Sequence, residues 1–102
     1  MTADTHSEEL KRAVERMHGG TASFIASVPV KETFEGKTVW EGVVHIFELA
    51  GNSLATRAYA WSTAEEGGKS RSIAVLHVPP VDSPQKAVRA AIVHDYRSGK
   101  AV

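Results

Sequence analysis

The side chains of this 102-residue chain best suited to move protons are five histidines and twelve Asp and Glu residues, and cysteine is absent. Thiol nucleophiles, disulfides and zinc knuckles are therefore excluded. Glu41 and His45 form the pair whose spacing matters most. On a strand they share one face, and a base beside a carboxylate under a helix can transfer protons. The competing reading of His45 is a core-edge histidine, hydrogen-bonded to backbone or to a helix residue. His6 precedes the first element, and His18 suits the negative end of a helix. His94 and Asp95 sit about 100° apart on a helix and do not face each other. Neither an HExxH spacing nor a GxSxG elbow is present. Gly67-Gly68-Lys69-Ser70 has the ending of a phosphate-binding loop, but Thr63 stands where the first glycine belongs. A strand, Arg71–Val75, follows where that motif needs a helix, so a hairpin loop is the better reading. The pattern calls for no metal and no cofactor, and nothing in it demands catalysis.

A second kind of chemistry is contact. Trp40, Tyr59 and Trp61 are large rings, and Lys31, Arg57 and His77 are cationic or polar neighbours. Which of them reach solvent depends on the elements that carry them.

Leu10, Ala13, Val14 and Met17 make one helical stripe, with Thr5 or Ser7 as cap and Gly19-Gly20 as stop. Asp82-Ser83-Pro84 opens a second helix that Gly99 ends, with Ala87, Val88, Ala91, Ile92 and Tyr96 as its stripe. Between them lie strands over 21–34, 37–50, 54–62 and 72–78, joined by tight turns at Glu35-Gly36 and Gly51-Asn52 and by the loop 63–70. The order α-β-β-β-β-α predicts an α+β domain: an antiparallel meander with both helices packed on one face.

Two-residue turns pair Phe24 with Phe47, Ala26 with His45 and Val28 with Val43. That register makes Phe24, Val43, Phe47, Ala58 and Ala60 the core, with Glu41 and His45 at its edge. Lys31, Trp40, Val44, Ile46, Arg57, Tyr59, Trp61 and His77 then point outward, onto a face with no helix to cover it. A β-bulge at Gly42 would exchange the two faces.

Composition agrees with one small domain over residues 1–102, residues 1–6 being expected to be disordered. Hydrophobic residues at 42% and charged residues at 24% are ordinary globular values. The net charge of zero argues against binding nucleic acid or membrane by bulk charge. The halves differ mildly, the first being acidic and the second basic. No apolar run approaches the ~20 residues of a membrane span, and Met1-Thr2-Ala3-Asp4 is unlike a signal peptide. The expected compartment is the cytoplasm, with no membrane partner.

Val28-Pro29-Val30-Lys31-Glu32-Thr33-Phe34, Val39-Trp40-Glu41-Gly42, Ala58-Tyr59-Ala60-Trp61 and Ser83–Ala91 resemble a family of short uncharacterised (hypothetical) proteobacterial proteins. That resemblance implies a bacterial protein and carries no activity. The topology also resembles that of double-stranded-RNA-binding domains, with Ser83, Ala87 and Ala91 at the small-residue positions of their last helix. Pro84, Gln85 and Val88 stand where those domains grip phosphate with lysines, so RNA binding is not implied.

The sequence therefore points to a non-catalytic binding or assembly module that uses an open aromatic face, as a homodimer or with another protein. The binding surface would be Lys31, Trp40, Arg57, Tyr59, Trp61 and His77. One alternative is a nucleic-acid binding domain, with Trp40, Tyr59 and Trp61 stacking on unpaired bases. The other is a small enzyme or ligand pocket around Glu41 and His45.

Overall fold

The computed structural model describes residues 5–64, 66–68 and 70–97. Helix α1 (Thr5–His18) is followed by strands β1 (Thr21–Phe34), β2 (Lys37–Ala50), β3 (Arg57–Ala64) and β4 (Ser70–Leu76), then helix α2 (Pro84–Arg97). The strands form one antiparallel sheet in the order β1-β2-β3-β4, which is the meander expected. Among the described residues no helix is long and apolar enough to cross a membrane.

Local chemistry accounts for the element ends. Ser83 caps α2: its hydroxyl accepts from the Lys86 N–H at 3.2 Å and its carbonyl from the Ala87 N–H at 3.0 Å. Helix α1 begins at Thr5 and so includes His6 and Ser7. Residues 1–4 and Gly99 lie outside the described residues. Glu35 and Gly36, with φ of 53° and 79°, make the expected two-residue turn. The β2–β3 connection is longer than expected, because β3 starts at Arg57 and Leu54 is exposed in the loop. Asn52 organises that loop. Its Oδ1 accepts from the Leu54 and Ala55 N–H groups, and its Nδ2 donates to the His18 carbonyl at the end of α1.

The arrangement of the helices corrects the expectation. They cover opposite faces, not one. Under α1, Leu10 and Val14 pack on Ala22, Phe47, Leu49, Ala58 and Ala60. Under α2, Ala87 and Val88 pack with Val30, Val44, Tyr59 and Trp61. Strand β3 supplies both layers, since Ala58 and Ala60 face α1 while Tyr59 and Trp61 face α2. The layer toward α1 is built from small alanines of β3 and the layer toward α2 from its large rings.

Two irregularities in the β1–β2 pairing make this possible. Phe24 pairs with Phe47 as expected, but the next pairs are Ala26–Ile46, Val28–Val44 and Val30–Gly42. Ile25 is an extra residue in β1, and Val39 restores the register near the turn, where Thr33 pairs with Thr38. Between the two bulges β1 is offset by one residue. Its even-numbered side chains, which share α1's face at Ala22 and Phe24, pass to α2's face at Ala26, Val28 and Val30. The exchange of faces does occur. It is made by Ile25 and not by Gly42.

Candidate functional site

The residues expected to form an open aromatic surface lie largely beneath α2. Tyr59 is 1% exposed and Trp61 2%. Trp40 and Trp61 meet edge to face, with centroids 5.8 Å apart, and Trp40 lies over Gly42. A Cβ at Gly42 would sit 2.9 Å from the indole, so the glycine is what lets the ring lie flat. A cavity of about 60 Å³ remains beside the two indoles, walled by Val88, Ala91 and Ile92. These rings are core, not a stacking platform.

Tyr59 and His77 do come together, joined by a hydrogen bond of 2.5 Å between the phenol and Nδ1. Burial pushes the Tyr59 phenol above its usual range, while Arg57 acts in the opposite direction. The phenol therefore keeps its proton, and the tautomer of the His77 ring sets which of the two partners donates.

Glu32 was missed by sequence reasoning. It is only 8% exposed, on the α2 side of β1, opposite Trp40. Arg89 Nε lies 2.8 Å from its Oε2 and Arg89 Nη2 lies 3.3 Å from Oε1. Gln85 donates to the same carboxylate and to the Lys31 carbonyl. The Arg89 guanidinium holds the Glu32 carboxyl below its usual range against the opposing effect of burial, and Gln85 assists. This clamp ties α2 to β1. A four-residue spacing of Gln85 and Arg89 on one helix flank was the only sequence signal for it.

The α1 side of the β1–β2 arm is the surface left open. Past Phe24 the cross-strand pairs on that side are Ser27–His45, Pro29–Val43 and Lys31–Glu41. Helix α1 stops short of them. Phe24 is 45% exposed and Val43 48%, although both were expected in the core, and Val39 and Ile25 are similarly exposed. The Phe24 ring rests against His45 and Phe47, with both centroid separations 5.9 Å. A shallow hollow of about 320 Å³ lies among Pro29, Lys31, Glu41 and Val43.

Glu41 and His45 share this side of β2 as expected. At ~3.3 Å per residue they stand about 13 Å apart, too far to share a proton within one molecule. Lys31 is exposed beside Glu41, and neither side chain holds an ion pair with another described residue. Among the described residues no group of three or more His, Asp or Glu is placed to hold a metal ion. A hollow of about 460 Å³ lies along α2, but its Lys86 is paired with Asp82 and its Arg89 with Glu32. Protein-family models, curated proteins and solved structures yielded no match to this chain.

Proposed function

We propose that this chain is a small non-catalytic assembly module that associates with a second copy through the bare side of its β1–β2 arm. The observation that carries this reading is the exposure of Phe24 and Val43 on the same side of the sheet, one on each side of the Ser27–His45 pair. Pro29 and Val43 give this side an apolar centre, with the Ser27–His45 and Lys31–Glu41 pairs to either side and Phe24 beyond, a mixture that suits a contact surface. The outer edge of β1 is poorly suited to the same task. Pro29 cannot donate a backbone hydrogen bond there, and the bulge at Ile25 breaks the ladder, so strand addition is discouraged.

Sedimentation equilibrium of the wild type and of Val43→Lys tests the proposal. The wild type should show a mass rising above 11.0 kDa with concentration, and the folded variant should stay at that mass. A wild type that remains monomeric up to millimolar concentration refutes it.

A further inference from the structure

Sterics and charge together specify how two such faces would meet. Helix α1 already occupies the layer above Ala22, Phe47 and Leu49, which is where a second sheet would have to lie. Stacked sheets sit ~10 Å apart, about the diameter of a helix. If two arms paired in the same direction, each α1 would occupy the space of the other sheet. Only an antiparallel approach, with each arm pointing toward the other's covered end, leaves both helices outside the contact.

Resting on the self-association reading above, we infer that the two copies lie antiparallel about a two-fold axis over the Pro29–Val43 pair, so that Glu41 of each meets the partner's His45. The register follows from the pairing on each arm. Ser27–His45 and Lys31–Glu41 flank Pro29–Val43 symmetrically, one step on either side. A two-fold axis there lays β1 on β1 and β2 on β2. Glu41 then stands over the partner's His45, and Lys31 over the partner's Ser27. The level of Phe24 faces that of Thr33 and Val39 on the other copy.

The polar groups favour this choice, since a carboxylate accepts from an imidazole N–H. Each face carries its own complement, an acid one step from the axis and an imidazole one step the other way, as an isologous contact requires. His45 is half-buried against Phe24, so its ring is held in place before association. The hollow beside Glu41 is where the incoming ring would enter. The bare stretch is about 30 Å long and 10 Å wide, roughly 300 Å² per copy against the ~800 Å² of a standard interface. The dimer is accordingly weak and depends on concentration.

Sedimentation equilibrium on Glu41→Lys, His45→Glu and their equimolar mixture tests the arrangement. His45→Glu alone places two carboxylates together at both contacts, Glu41→Lys alone removes the carboxylate acceptor from both, and each should raise the dissociation constant at least tenfold. The mixture sets the introduced lysine against the introduced glutamate at one contact, keeps the Glu41–His45 pair at the other, and should dimerise about as well as the wild type. Because the chain has no cysteine, Val43→Cys gives a second readout that tolerates a poorly folding His45 variant. Mild oxidation should link Val43→Cys to itself through its position at the axis, and should not link Thr38→Cys, far from it. A dimeric wild type whose mixed variants stay monomeric, or whose Thr38→Cys links as readily as Val43→Cys, overturns this geometry and leaves self-association standing. Complementation between Lys31→Glu and Glu41→Lys instead would indicate the same-direction pairing and also overturns it. A monomeric wild type removes the assembly reading itself.

Discussion

Replacing Trp61 by alanine separates the two possible assignments of the sheet faces. Trp61 is almost wholly buried, in edge-to-face contact with Trp40 and roofed by α2. An indole buries roughly 200 Å², worth about 5 kcal/mol at ~25 cal/mol per Å². Measured Trp-to-Ala truncations in cores cost about 3–5 kcal/mol. The upper part of that range is expected, because the vacated space would join the existing cavity of about 60 Å³. Its walls are a helix and a paired strand, which cannot collapse easily. Domains of this kind are stable by only ~5–15 kcal/mol, so the variant should be severely weakened. In urea, with a slope of about 1–3 kcal/mol per M, the midpoint should fall by roughly 2 M. Unfolding is followed by the fluorescence of Trp40, the one remaining tryptophan, and by circular dichroism. Val43→Ala is the companion variant. Nearly half-exposed, it should cost less than about 1 kcal/mol. The reverse ordering, with Val43 costly and Trp61 cheap, would refute the placement of α2 over the aromatic face.

Other substitutions probe the remaining contacts. Gly20 has a φ of 77°, and a Cβ there would lie 2.4 Å from the Ala50 carbonyl oxygen, so Gly20→Ala should cost more than about 2 kcal/mol in chemical denaturation. Asn52→Ala removes the hydrogen bonds that tie the β2–β3 loop to α1 and should lower stability by about 1–2 kcal/mol. The Glu32 clamp sets a pH dependence. Its folded carboxyl titrates below the ordinary value of 4.5, so the stabilisation is present above 4.5 and is lost as pH falls through the depressed value. Glu32→Gln should therefore be less stable than the wild type at pH 7, and urea midpoints for the two should converge under acid. A constant difference across that range would count against the clamp.

The chain by itself specified the kinds of element and their order. Stripes in the helices, Ser83-Pro84, Gly19-Gly20 and the Glu35-Gly36 turn are local signals, because caps, turns and periodicity act over a few residues. Glu41 and His45 share a face, and Phe24 pairs with Phe47, for the same reason. One further signal lay in plain view. Ala58-Tyr59-Ala60-Trp61 and Ile73-Ala74-Val75-Leu76 are continuous apolar runs, the mark of strands buried on both sides, and they called for a helix on each face. Only the tertiary structure decided which helix took which face and where the register slipped. A bulge costs little locally, and nothing near Ile25 demands one. It is favoured because Ala22 then packs under α1 while Val28 and Val30 reach the α2 core, a gain that exists only once both helices are docked. The bare side of the arm was settled by the same event: passing the even-numbered side chains of β1 to α2 set Pro29 and Lys31 beside Val43 and Glu41 on the side that α1 is too short to cover.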